Sequence, residues 1–204
     1  MGKLAIIGAS GHGKVVADVA LANDIKDIIF YDDRWPELKQ SYGFPVVGDT
    51  KAALHSSESY DFVIVAIGSA SVREDLQGKL HKVSPALIHP TAVISKAAVI
   101  GKGSVVMPGA IVNADAIIGE GVIINSGAIV EHDCIVGNYS HICPSASLAG
   151  GVIIGDFSWV GIGSSVIQQT KIGDYVTVGA GAIVLKDIPD RQTVVGVPAK
   201  QLEK

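Results

Sequence analysis

At 204 residues the chain suits one large domain or two small ones. A formal net charge of −4 leaves no basic footprint for nucleic acid, although a local basic patch for a phosphorylated ligand remains compatible with it. Two cysteines, Cys134 and Cys143, make no disulfide framework, and no apolar run approaches the ~20 residues of a membrane-spanning helix.

The start, MGKLAIIGASGHGK, has too short an apolar run for a secretory signal. Ile6 stands where a myristoylated Met-Gly start would carry Ser or Thr. A soluble, cytoplasmic protein is expected. Lys3 to Gly8 reads as a buried strand, followed by Ala9-Ser10-Gly11-His12-Gly13 and the helical pattern KVVADVALAND. Strand, glycine-rich turn and helix together make a phosphate-cradling unit, because the glycines leave backbone N–H groups open at a helix N-terminus. The spacing is Gly8-x-x-Gly11-x-Gly13 rather than GxGxxG, so a plain tight turn stays open as the alternative.

Asp27 to Tyr31 is a second strand ending in Asp32-Asp33. Carboxylates there can accept ribose or sugar hydroxyls, or simply cap a following helix. Residues 34–44 read as a loop, 45–48 as a short strand and 49–55 as a weak helix. Asp61 to Gly68 (DFVIVAIG) is the clearest central strand, and Ser71 to His81 the next helix. This alternation predicts a small parallel α/β domain over residues 1–83, too short for a full dinucleotide site and better matched to a mononucleotide or nucleotide-sugar. Its ligand belongs at the carboxyl ends of the strands, where Gly8, Ser10, Gly11, His12, Gly13, Asp32, Asp33, Gly68 and Ser69 converge.

From residue 84 the pattern changes. Every sixth residue from Ile88 to Val184 is Ile, Val or Leu, and four residues after each stands a small or β-branched one. A period of six is neither helical nor a simple alternation; it predicts a hexapeptide β-helix over residues 84–204. At three hexads per coil the chain closes after about 18 residues, giving roughly five coils and a prism ~25 Å tall.

Most outward hexad positions are bland, but Glu131-His132-Asp133 is not. A histidine beside an acid suits a general base, since the acid fixes the tautomer and stabilises the imidazolium. Residues about 18 apart stack, which sets His132 between Ala114 and Gly150, and His141 between Ile123 and Trp159. Nine residues separate the two histidines, half a coil, so they face different sides of one prism. A site using both lies between subunits, as a cyclic trimer provides. Cys134 occupies an inward small-residue slot and is read as packing. His141 and Cys143 lack a second Cys/His pair, so no metal is expected.

GASGHGKVVADVA, Asp32-Asp33, VIVAIG, IVEHDCIVGNYSHICPSA and GVPAK together resemble the PglD-type sugar N-acetyltransferases, with the NeuD-like sialic acid O-acetyltransferases as relatives. The resemblance covers nearly the whole chain. It implies an N-terminal Rossmann-like α/β subdomain followed by a left-handed parallel β-helix of hexapeptide repeats. It further implies a homotrimer moving acetyl from acetyl-CoA to the 4-amino group of a nucleotide-linked 4-amino-4,6-dideoxy sugar, UDP being the expected carrier, for bacterial surface glycan synthesis. Carried over by residue, His132 is the base and Asp133 its orienting acid, although many relatives have Glu there. His141 lies near the acetyl-CoA thioester, and Gly150, Ile162 and Ala180 line the CoA channel. The glycine turn holds the nucleotide. Two other readings stay open: an O-acetyltransferase acting on a sialic acid or polysaccharide hydroxyl, and a non-catalytic scaffold that binds nucleotide-sugars.

Overall fold

The structure, a computed structural model, describes residues 2–202. The chain divides into two compact units, Met1–Pro90 and Thr91–Lys204.

The first unit has a three-stranded parallel sheet, with β1 (Leu4–Ile7) flanked by β2 (Ile28–Tyr31) and by a third strand, Phe62–Val65. Alternation along the strands sends Ala5, Ile7, Ile29, Tyr31, Val63 and Val65 to one face, where Ala53, Tyr60 and Leu76 complete a core. Helix α1 (Gly11–Ala22) buries Val16, Val19 and Ala20 away from that cluster. Its first turn is the glycine motif itself, three residues before the sequence pattern places it. A helix N-terminus needs no apolar periodicity, so the pattern begins only at Lys14. The expected loop over 34–44 contains half of a small hairpin, β3 (Gln40–Ser41) against β4 (Phe44–Pro45). Tyr42 and Gly43 both have positive φ, the backbone a two-residue hairpin turn requires. Helix α2 (Thr50–Ser56) starts where Asp49 accepts the Ala52 N–H, and α3 (Ala70–Gly78) follows the strand Phe62–Val65, which is β5 in chain order.

The second unit is a parallel β-helix of two-residue strands. One ladder has six strands from Val93–Ile94 to Ile183–Val184, and a second has five from Val99–Ile100 to Lys171–Ile172. The third runs from Val105–Val106 through Ile123–Ile124, His141–Ile142, Trp159–Val160 and Thr177–Val178 to Thr193–Val195, closed by antiparallel Lys200–Gln201. Register advances by 18 per coil, as in Ile129 opposite Ser147, until the last coil, where Thr177 faces Thr193 after 16. The six-stranded ladder exceeds the roughly five coils expected, because the first and last partial coils still pair.

The period-six aliphatics point inward and fill the core; Ile118, Ile124, Val130, Val136, Ile142, Leu148 and Ile154 are all buried. The small slot four residues on is buried too from Ser104 to Ala182 and closes each corner. At Ser104, Ser140 and Ser158 the slot's hydroxyl stitches neighbouring coils, Ser158 Oγ donating to Gly173 O at 2.7 Å and accepting from Val176 N at 2.9 Å, while Ser164 Oγ donates to Gly161 O within its own turn. Each such hydroxyl is thereby satisfied, so burial costs little.

The corner columns also take a residue in the left-handed region in most coils, as at Asp115, Asp133, Gly151 and Gln169. On a second corner that residue is aromatic in three successive coils, Tyr139, Phe157 and Tyr175. Stacking at 5.6 and 4.7 Å between centroids, with the Arg191 guanidinium 4.6 Å above Tyr175, offsets the strain of a bulky side chain there.

Candidate active site

Two places gather chemistry. In the first unit, Gly8, Ser10, His12, Asp32, Asp33, Arg34, Thr50, Ala66, Ile67 and Gly68 line a cleft of about 270 Å³ at the carboxyl ends of the strands. The glycines divide by task. Gly8 has φ +105°, and a Cβ there would meet Ala66 O at 2.7 Å. A Cβ on Gly13 would fall 2.0 Å from Gly8 O, so that glycine lets α1 close against the end of β1. Gly11 and Gly68 have open space around the Cα and leave backbone accessible.

Asp32 is a buried clamp. Its Oδ2 accepts the Ala9 N–H at 2.8 Å, while the Arg34 guanidinium grips Oδ1 at 2.7 Å and Oδ2 at 2.9 Å. These bonds, the Arg34 side chain first, pull its pKa down to about 2 against the opposing effect of burial. A sugar hydroxyl seeking Asp32 must therefore share it with Arg34. Asp33 accepts the Thr50 N–H at 2.9 Å, which satisfies the first turn of α2. Ser10 precedes α1 without a side-chain cap bond, and its Oγ accepts from Arg34 Nη2 at 3.1 Å. Arg34 is the cation that the sequence reading passed over, although it follows Asp32-Asp33 directly. Burial, then the charge of Arg73, lowers the His12 pKa to about 4, so the imidazole is neutral; its Nε2 is buried with no hydrogen-bond partner.

In the second unit, His132 stands on the turn between Ile129–Val130 and Ile135–Val136, the corner joining the six- and five-stranded ladders. Its ring is exposed. Asp133, with φ +59°, aims its carboxylate back so that His132 Nδ1 donates to Oδ2 at 2.7 Å. A carboxylate only accepts, so Nδ1 carries the proton and Nε2 is left basic. The Asp133 bond is the largest cause raising the His132 pKa above 6.5, with the charges of Asp133 and Glu131 adding to it. Glu131 itself accepts from Asn113 Nδ2 at 2.8 Å, so Asp133 is the acid in contact with the ring. Gly150 lies directly beside it: a Cβ there would sit 2.6 Å from both Nε2 and Cε1. The glycine keeps the basic nitrogen uncovered.

His141 lies on the face opposite that corner, outward on its strand. Its ring stacks on Trp159 at 6.2 Å and 13°, and Asn125 Nδ2 donates to Nε2 at 3.0 Å. Ile162 and Ala180 stand in one column on the corner after Trp159–Val160, both exposed. One prism thus brings Gly150 to His132 and keeps His141, Ile162 and Ala180 apart from them. Both cysteines are buried and their pKa values raised, that of Cys143 to about 11, by desolvation. Cys134 Sγ donates to Ala149 O, and the Trp159 indole N–H donates to Cys143 Sγ. Neither thiol is placed as a nucleophile. Among the described residues no three His, Cys, Asp or Glu side chains gather as a metal site, and no helix is long and apolar enough to cross a membrane.

Residues 3–80 match the PglD N-terminal domain family, and residues 115–150 and 151–186 each match the bacterial transferase hexapeptide (six repeats) family. The acetyltransferase domain of PglB from Neisseria gonorrhoeae FA1090 is 45% identical over 98% of this chain and 99% of that one, with a TM-score of 0.93. The chain belongs to the PglD-type sugar acetyltransferase family. A second structure of that PglB domain is a complex with acetyl coenzyme A. PerB from Caulobacter crescentus, solved with CoA and GDP-perosamine, is 38% identical over 100% of this chain and 98% of that chain, with a TM-score of 0.94. The UDP-N-acetylbacillosamine N-acetyltransferase of Bacillus subtilis (strain 168) is 40% identical over 113 residues, and the match spans about half (52%) of that relative.

Proposed function

We propose that the protein is a cytoplasmic acetyltransferase that moves acetyl from acetyl-CoA to the 4-amino group of a UDP-linked 4-amino-4,6-dideoxy sugar, serving bacterial surface glycan synthesis. The observation that carries this reading is the Asp133–His132 bond with Gly150 against the basic nitrogen. His132 Nε2 takes a proton from the amine as its nitrogen attacks the thioester carbonyl. The Asp133 carboxylate stabilises the resulting imidazolium, and the protonated base then serves the departing thiolate. His141 or a backbone N–H steadies the oxyanion. Direct transfer needs no acyl-enzyme, in keeping with two buried thiols of raised pKa.

The nucleotide occupies the cleft of the first unit. The open backbone of Gly11 and Gly68 and the guanidinium of Arg34 suit a diphosphate, and the small volume suits one nucleotide rather than two. The active form is a homotrimer, since His132 and His141 stand on opposite parts of one prism and can serve one acetyl group only across subunits.

The test is thiol release from acetyl-CoA with a panel of UDP-, dTDP- and GDP-linked 4-amino sugars and hydroxyl-only counterparts. Turnover confined to amines, fastest with the UDP sugar, is expected. Turnover with hydroxyl acceptors alone, or with none, contradicts the reading.

A further inference from the structure

Among the described residues, the largest fully buried side chain is a charged one, Arg73. A buried guanidinium is costly unless its donors are engaged. Arg73 stands on the buried side of α3 with Leu76 and Gln77. Long side chains on a helix lean toward its N-terminus. Arg73 accordingly reaches back to the segment before its own helix, where Nη1 donates to the carbonyls of Ile67 at 3.0 Å and Gly68 at 2.8 Å.

Ile67 and Gly68 both line the cleft. The turn after β1 packs against the adjoining part of the same segment: a Cβ at Gly8 would touch Ala66 O and the Ile67 side chain. One guanidinium therefore holds the end of a segment, residues 66–68, against which the glycine turn packs. His12, on the glycine-turn side, feels the same charge, which helps keep its imidazole neutral.

Resting on the nucleotide reading of this cleft, we propose that Arg73 is a positioning residue for the nucleotide-sugar. It clamps the Ile67–Gly68 backbone and so sets the distance between that segment and the glycine turn. Both carbonyl bonds come from one nitrogen, Nη1, whose two N–H directions are fixed by the rigid guanidinium plane, a geometry that a rotating ammonium group reproduces only in part. The ligand need not touch it.

The test uses the full chain with Arg73→Met and Arg73→Lys. Binding of UDP, GDP, dTDP and CoA is measured by calorimetry, and steady-state rates with the best amino-sugar acceptor. Arg73→Met should weaken the bound nucleotide about tenfold while CoA affinity stays within about twofold; KM for the sugar rises and kcat at saturation holds. Arg73→Lys should fall between the two. Unfolded first units would lower kcat instead, because fewer active molecules remain. Unchanged nucleotide affinity, or equal loss for nucleotide and CoA, overturns the assignment. If Arg73→Met does not fold, the Lys variant decides: nucleotide affinity equal to wild type overturns it. Wild-type protein that binds none of the three nucleotides removes the nucleotide reading itself, and Arg73's role with it.

Discussion

His132 and Asp133 form a two-residue device whose geometry comes from one backbone angle. Asp is among the few side chains that enter the left-handed region readily, and there it points back at the preceding ring. The consequence for pH follows in sign. The Asp133 bond raises the His132 pKa, so the base is lost to protonation at a pH above that of an isolated imidazole, and the rate falls as pH drops through that value. Asp133→Asn removes the largest cause of the shift. The acidic limb of the rate profile should then move to lower pH, with a lower plateau because the imidazolium loses its partner. A limb that stays in place or moves up would contradict the pairing. Gly150→Ala should push the ring off Asp133 and slow turnover, with a melting temperature close to wild type because the displaced ring is exposed. The histidine, its acids and the glycine 18 residues on were all legible in the sequence. Which acid touches the ring was not, since both flank it; the backbone angle at Asp133 and the Asn113–Glu131 bond decide it. Arg73 was not legible either, because an arginine in a short helix reads as solvated until the fold buries it.

At the scale of the element, the hexad is read so plainly because each repeat must solve the same problem: one aliphatic inward, one small residue at the corner, one residue at positive φ. Less visible is how tightly the corners interlock. Asp156 N donates to Asp174 Oδ1 at 2.8 Å, and Asp174 N to Asp190 Oδ1 at 2.9 Å, while Gly155 and Gly173 lie beneath those carboxylates. A Cβ on Gly155 would meet Asp174 Oδ1 at 2.3 Å and Gly173 backbone at 2.6 Å. Gly155→Ala should therefore cost about 1–3 kcal/mol, read as a lower unfolding midpoint in denaturant. An unchanged midpoint would show that the coils are not locked in this way. In the first unit, α1 begins earlier than its periodicity shows and the 40–45 hairpin is missed. In both cases glycines with special backbone roles, Gly11, Gly13 and Gly43, interrupt the apolar pattern without interrupting the structure.

For the molecule as a whole, a prism with His132 on a corner and His141 on the face opposite cannot complete the proposed site alone. This makes a prediction about mixtures. His132→Ala and His141→Ala chains, each defective by itself, should regain activity when co-assembled, because some inter-subunit sites then combine two intact histidines. No recovery in verified mixed oligomers would place both histidines' work within one chain. The α/β unit and the β-helix were both visible as a change of period near residue 84. The compact units part at Pro90, a few residues later, where the first hexad strand falls on the earlier side.

The central claim, that His132 is the general base of amine acetylation, is tested most directly by the His132→Ala protein. Its turnover with acetyl-CoA and the preferred nucleotide 4-amino sugar should be read beside CoA binding by calorimetry. Turnover should fall by roughly 10²–10⁴-fold with CoA affinity retained. Turnover equal to wild type at neutral pH would contradict the account.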